Sequence, residues 1–525
     1  MRSIRVLSIM LTMTVRMCVD RGAETQGGSS FLVAPESTLT LDYAGLQREC
    51  RQIESTLTAM GLKSGDKVAF LLDNGHWTVS LLLGTMYAGL VAVPLNVLAG
   101  PQSVRYILEH CDATVLFCSK KHRTEFGDAI DTCSRAFTVI ETDEETGPRW
   151  ARLTPRTHLD GSVEPSDDAL LLYTSGTTGV PKGVRLSHRA VVTGGHNTAM
   201  AHALTPGDRA LCVLPLYHIN GEIVTVMGPL VSGGSVVMPH RFRASEFWSL
   251  VMREQCTWLS VVPTIINYLL DRAAREDVDG HIDFLRAPGL RQLRFARSAS
   301  APLPASVQQQ FERVFGVPMI ETMGLTETSA PILSNPLPPA TRKPGSPGIP
   351  FGNEVQVADE RGRPVADLVT GELLVRGDNV LTGYYKNDAA NRSAFWPDGW
   401  FRTGDLGYRD AEGYLFITGR LKELIIKGGE NIAPREVDDA LYLHESVLEA
   451  AAFGAQDDVY GQEVHACVCL RHHCHVDEHE LIDHCRRHLG TFKAPSRIHF
   501  LKALPKGPSG KIQRLKLIEL VAAKS

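Results

Sequence analysis

The stretch YTSGTTGVPKGV, from Tyr173 to Val184, brings hydroxyls, glycines and one amine together in a short span. Gly176 and Gly179 permit turns that aim successive backbone N–H groups at one point. Thr174, Ser175, Thr177 and Thr178 add hydroxyl donors, and Lys182 adds a mobile positive charge. Such a set suits a polyphosphate, whose oxygens need many donors and partial charge neutralisation. The spacing is not that of a Walker A loop, which needs Gly-Lys-Ser/Thr where this chain has Val-Pro-Lys-Gly. The apolar run before the turn reads as a buried strand, and α/β proteins hold ligands where such strands end. The plain alternative is a flexible surface loop.

The elements around this loop must position it. KVAFLLDNGHWTVSLLLGTMYAGLVAVPLN reads as strand, helix, strand: Val68 to Leu72, Trp77 to Tyr87, Val91 to Leu95. Further strands are expected at Ala113, in RALCVLPLYHING and in GGSVVMPH, and a strand joined to a helix in WLSVVPTIINYLL. Strands alternating with helices over about 300 residues predict an α/β architecture with parallel sheets. From Gly371 the texture changes to short strands separated by glycine-bearing turns, an antiparallel pattern. Beyond Arg420 about a hundred residues remain, enough for a small separate domain. It is expected to hold a helix near Pro434 to Tyr442, strands near Glu449 and Val464, and a helix from Asp477 to His488. The division is placed at residues 1–419 and 420–525.

Composition sets the outer limits. A chain of 525 residues is too long for one compact core. Its 43% hydrophobic and 22% charged residues are those of a globular protein. A net charge of -5 supplies no basic field for nucleic acid. Eleven scattered cysteines fit reduced thiols and a cytoplasmic setting better than a disulfide scaffold. MRSIRVLSIMLTMTVRM resembles a weak secretory leader, but Arg16 interrupts it, and an N-terminal helix or extended start is the preferred reading. No run approaches the ~20 apolar residues needed to cross a bilayer. RHHCHVDEHE carries His472, His473, Cys474, His475 and His479, with His484 beyond, yet neighbours on a strand face opposite ways, so no metal site is expected there.

The ordered set of motifs resembles the adenylate-forming superfamily, in its AMP-forming acyl-CoA synthetase branch. The opening loop is similar to that family's phosphate-binding signature. GLTE at Gly324 to Glu327, GELLVRGDNVLTGYY, GWFRTGD, GRLKELIIKGGENIAP and the late PKGPSGK resemble the later signatures in order. The resemblance spans about residues 35 to 515. It implies a large N-terminal domain with parallel αβα sheets and a small distorted barrel, followed by a small mobile α+β domain.

The resemblance also implies roles. Thr174, Ser175, Gly176, Thr177, Thr178, Gly179 and Lys182 would hold the β and γ phosphates of ATP. Glu327 would bind Mg2+, a hard cation suited to a carboxylate, and Thr326 would donate to the α-phosphate. Ser300, Ala301 and Pro302 in SASAPLP would form an adenine wall, with Thr322 and Met323 beside it; Met323 stands where the family usually has an aromatic residue. Asp405 would accept from the ribose hydroxyls and Arg420 would lie near ribose and phosphate. Lys422 would be the pivot of the small domain. Lys511 would reach the carboxylate and α-phosphate as charge develops there. Lys427, Gly428 and Gly429 in KGGEN would approach the thiol arm of CoA, and His218 would separate the acyl pocket from the thiol route. ATP, Mg2+ and CoA are the implied cofactors.

Asn220 and Glu222 make the expected acyl segment polar, which points to a small, polar or dicarboxylate-like acid. A medium- or long-chain fatty acyl-CoA synthetase, an acyl-AMP ligase that never uses CoA, and a non-catalytic nucleotide- or acyl-binding protein remain alternatives. A small-molecule carboxylate is the expected partner, with no nucleic acid and no stable membrane insertion; a homodimer is left open.

Overall fold

A computed structural model describes residues 12–150, 162–174, 180–278, 290–472, 474–507 and 511–522. The N-terminal segment begins a helix at Val15–Gln26, capped by the Thr14 hydroxyl, which accepts from the Met17 N–H. The early expectations fall close to the observed elements: strand Lys67–Leu71, helix His76–Tyr87, strand Val91–Pro94 and strand Ala113–Cys118. The helix His76–Tyr87 is apolar almost all round because nearly every position is buried.

Two large sheets form the N-terminal body. Among the described residues, the first runs, in spatial order, through Ile349–Pro350, Ala330–Ser334, Met319–Leu325, Phe295–Ser298, Trp258–Val261, Arg209–Cys212, Ser235–Val237, Ser30–Ala34 and Leu39–Asp42. The second is centred on the parallel strands Asp168–Thr174, Val91–Pro94, Lys67–Leu71 and Ala113–Cys118. The expected parallel pairing is present in both sheets, which are mixed as wholes. Parallel pairing fills their centres, while outer strands such as Leu39–Asp42 and Lys182–Ser187 return antiparallel through short connections. One continuous apolar core joins Phe31 and Leu32 of the first sheet to Phe70 and Leu172 of the second through Leu46, Leu82 and Val191 of the intervening helices.

The change of texture after Gly371 corresponds to an antiparallel sheet of Glu354–Ala358, Gly371–Arg376, Phe401–Arg409 and Leu415–Arg420. Its core packs against Ile332 and Leu333 at the edge of the first large sheet. A further sheet begins at Ile425–Lys427 and includes the long pair Val447–Asp457 and Gly461–Leu470, with Arg497–Phe500 added in parallel. Helices Pro434–Tyr442 and Glu478–Lys493 cover it, the second capped by Asp477. This C-terminal unit docks on the body through Arg435. Its guanidinium donates to the Ile417 carbonyl at 2.7 Å and the Gly345 carbonyl at 3.1 Å. Asn267 adds a bond to the Leu448 carbonyl at 3.1 Å. All eleven cysteines are free thiols. No helix among the described residues is long and apolar enough to cross a membrane.

Candidate active site

The strand before the glycine-rich loop and the strand after it pair antiparallel, and Thr174 lies opposite Lys182 at the loop end of the hairpin. Ser175, Gly176, Thr177, Thr178 and Gly179 lie outside the described residues. Lys182 holds its ammonium 5.2 Å from the centre of the Tyr384 ring. The Tyr384 hydroxyl in turn donates to Glu327 Oε1 at 3.1 Å. Burial and then the Glu327 charge hold this phenol well above the usual tyrosine range, so it stays a donor. Lys182, Tyr384 and Glu327 are thus one connected group, built from three segments that are distant in sequence.

Thr326 and Glu327 sit in a short 3-10 turn, Thr326–Thr328, that ends the strand Met319–Leu325. The Glu327 carbonyl accepts from the Leu381 N–H at 2.7 Å, which ties this turn to the segment carrying Tyr384. A half-buried carboxylate among an ammonium and hydroxyl groups has the donor chemistry to hold Mg2+ beside a phosphate chain.

Asp405 and Arg420 face each other across the antiparallel pair Phe401–Arg409 and Leu415–Arg420. The guanidinium contacts both carboxylate oxygens, at 2.6 and 3.4 Å. Asp405 is only 4% exposed, and its charge pushes the Arg420 pKa upward. Lys511, 91 residues beyond Arg420 in the C-terminal unit, lies in the field of this pair. Burial and the Arg420 charge lower its ammonium pKa, while Glu423 and Asp405 oppose that. The charges of Asp405 and Arg420 are thus among those that act on Lys511.

The stretch SASAPLP follows the strand Phe295–Ser298. Ser300 takes a left-handed φ of +71°, uncommon outside glycine, which turns the chain so that Ala301 and Pro302 lead back into the fold. Thr322 is buried, with its hydroxyl directed at the Ser298 carbonyl. Met323 packs toward the barrel cluster with Ile332 and Leu333. His218 stands half-buried on the turn before an unusual π-helix, Asn220–Met227, and its ring lies 5.0 Å from that of Tyr217. π-helical turns are rare and concentrate at functional sites.

In KGGEN, Gly428 and Gly429 have φ of +56° and +86°, as the two central residues of a type I′ hairpin require. Lys427 lies inside the C-terminal unit rather than pointing free. Its ammonium contacts Glu463 at 2.6 Å and the Phe492 carbonyl at 2.9 Å, over the Phe492 ring. Several residues that complete the site were not singled out from the sequence. Tyr384 lies inside a quoted motif, but nothing in its spacing tells that its hydroxyl meets Glu327. Glu423, in GRLKE, is charged like many surface residues, and only the fold sets it beside Lys511 and Arg514.

Comparison with known proteins agrees with this geometry. The AMP-binding enzyme family matches residues 19–385, and the AMP-binding enzyme C-terminal domain matches residues 436–511. The chain is 48% identical over 492 residues to a sulfoacetate–CoA ligase of Cupriavidus necator, covering 93% of this chain and 94% of that enzyme. It is 36% identical over 462 residues to an oxalate–CoA ligase of Arabidopsis thaliana, covering 86% and 88%. The fold matches the o-succinylbenzoate coenzyme A synthetase of Bacillus subtilis in complex with ATP and magnesium, with a TM-score of 0.81, 29% identity and 95% and 98% of the two chains covered. The chain belongs to the AMP-binding enzyme family, in the AMP-forming acyl-CoA synthetase branch of the adenylate-forming superfamily.

Proposed function

We propose that the protein is an ATP-dependent carboxylic acid:CoA ligase that releases AMP and pyrophosphate and acts on a small polar acid. The observation that carries this reading is the linked group of Lys182, Tyr384 and Glu327, together with the Asp405–Arg420 pair in whose field Lys511 lies. A terminal amine delivered to the nucleotide side of a cleft suits the charge that builds on a carboxylate and an α-phosphate as they join. Two relatives are named for sulfoacetate and oxalate, short polar acids, and the polar acyl segment with Asn220 and Glu222 supports a substrate of that size.

In the first step a substrate carboxylate oxygen bonds to the α-phosphorus of ATP, and the bond to the departing pyrophosphate breaks. Thr174 and Lys182 serve the outer phosphates, and Asp405 orients the ribose. Glu327, fixed by Tyr384, would hold Mg2+, which neutralises phosphate charge. Thr326 and Lys511 donate to the oxygens that gain charge. Ser300, Ala301 and Pro302 border the base. In the second step the CoA thiolate bonds to the acyl carbonyl carbon, and AMP leaves with the electron pair of the broken C–O bond. The small domain, taken as residues 420–525, turns about Lys422 between the steps. That turn withdraws Lys511 and brings the Gly428–Gly429 hairpin toward the thiol route beside His218.

The test is a panel of small polar, aromatic and fatty acids, with pyrophosphate and AMP release measured with and without CoA. Pyrophosphate release with a short polar acid, and AMP release that requires CoA, is the expected result. Turnover confined to long-chain acids, or AMP release indifferent to CoA, would overturn the corresponding part of the reading.

A further inference from the structure

We propose that Arg297 selects the acid by binding a second anionic group at the end of a short substrate opposite its reacting carboxylate. This rests on the ligase reading above. Arg297 lies on the strand Phe295–Ser298, in the middle of the first large sheet, and is 2% exposed. Its Nη1 donates to Asn220 Oδ1 at 2.7 Å and to Ser260 Oγ at 3.0 Å. Its Nε is buried with no hydrogen-bond partner. Among the described residues no carboxylate lies within ion-pair distance of it.

A guanidinium sealed from water and held only by neutral dipoles is an unfavourable arrangement unless a counter-ion arrives. Burial lowers its pKa to about 9, which leaves it charged at neutral pH. Glu222, two residues beyond Asn220, does not supply the counter-ion: burial raises its pKa well above the carboxylate range, and both its oxygens lack hydrogen-bond partners.

The location ties this charge to the substrate. Asn220 follows His218 by two residues, and its amide nitrogen lies 3.3 Å from Ser300 Oγ. Ser300 begins the expected adenine wall, so two hydrogen bonds lead from Arg297 to the edge of the expected nucleotide site. The Nε edge of the guanidinium offers the forked geometry that carboxylates and sulfonates accept.

The experiment uses the full chain and acids matched in length: a sulfonate-ended acid, a dicarboxylate, and an acid with a neutral end. Pyrophosphate release gives kcat/KM for each, for wild type, Arg297→Met and Arg297→Lys. Wild type should favour one of the doubly anionic acids, and the sulfonate and dicarboxylate arms tell which. Arg297→Met should lose about 100-fold in kcat/KM on that acid, mainly through KM, with the KM for ATP unchanged and little loss on the neutral-ended acid. Arg297→Lys should recover part of the loss.

Asn220→Asp provides a second variant that keeps the guanidinium satisfied. Its new carboxylate pairs with Arg297 and should reduce use of the doubly anionic acid even if Arg297→Met folds poorly. Equal loss on all acids, or a wild-type preference for the neutral-ended acid, overturns the proposal. If no acid releases pyrophosphate, the ligase reading fails. Calorimetric binding of the doubly anionic acids to wild type and Asn220→Asp then still judges Arg297: equal affinity for the two proteins counts against it.

Discussion

At the residue scale, buried charge decides what each group can do. Glu222 is 1% exposed, and burial raises its pKa well above the carboxylate range. The folded protein therefore keeps a proton that the unfolded chain releases above about pH 4.3, and this site's contribution to stability falls as pH rises from there. The slope is about 1.4 kcal/mol for each pH unit between the unfolded and folded values. Glu222→Gln removes the linkage. Its melting temperature should gain on that of wild type between pH 5 and pH 8, and a constant gap would contradict the assignment. Tyr384 makes a different prediction. Tyr384→Phe removes the hydroxyl that fixes Glu327, so the Mg2+ requirement for adenylation should rise about tenfold or more. A magnesium titration of pyrophosphate release measures it, and an unchanged midpoint would separate Tyr384 from the metal.

At the scale of elements, the antiparallel pair Phe401–Arg409 and Leu415–Arg420 explains how the motifs carrying Asp405 and Arg420 meet. Its register sets Asp405 against Arg420, and Lys511 lies in the field of both charges. The helix Pro434–Tyr442 ties the C-terminal unit to the body through the two carbonyl bonds of Arg435. Arg435→Ala should weaken docking of the C-terminal unit in this orientation. We expect the rate of adenylation to fall about tenfold, as loss of charge-assisted bonds to backbone implies, with thioester formation from supplied acyl-AMP much less affected. Equal loss in both half-reactions would instead indicate general destabilisation. The glycine-rich loop, TGD, GRLKE and KGGEN were legible as motifs because each function needs neighbouring residues in a short span. The mixed pairing of the sheets was not legible, because strand texture reports burial and not the direction of the next strand.

At the scale of the whole molecule, the proposed two-step scheme requires the small domain to present different faces in turn. Lys511 lies in the field of Asp405 and Arg420, while the Gly428–Gly429 turn joins Ile425–Lys427 to Glu430–Ile432 at the edge of the small sheet. Lys511→Ala should suppress pyrophosphate release by about 100-fold or more while sparing thioester formation from supplied acyl-AMP. Lys422→Pro, which stiffens the pivot, should do the reverse: adenylation persists and CoA-dependent AMP release falls. Single-turnover assays of each half-reaction read both variants, and parallel loss in the two steps would defeat the rotation scheme.

The sequence by itself determined the chemistry of each motif and the order of the elements. Hydroxyl, glycine and lysine in one loop, and the apolar periods of helix and strand, are local properties that survive without a fold. The tertiary structure alone decided which motifs share a site. Lys182, Tyr384 and Glu327 meet across three segments, and Arg297, Asn220 and Ser260 meet across adjoining strands and a π-helix. Such meetings depend on strand order and burial, and the charge left without a counter-ion at Arg297 exists only once the surrounding sheet has excluded water.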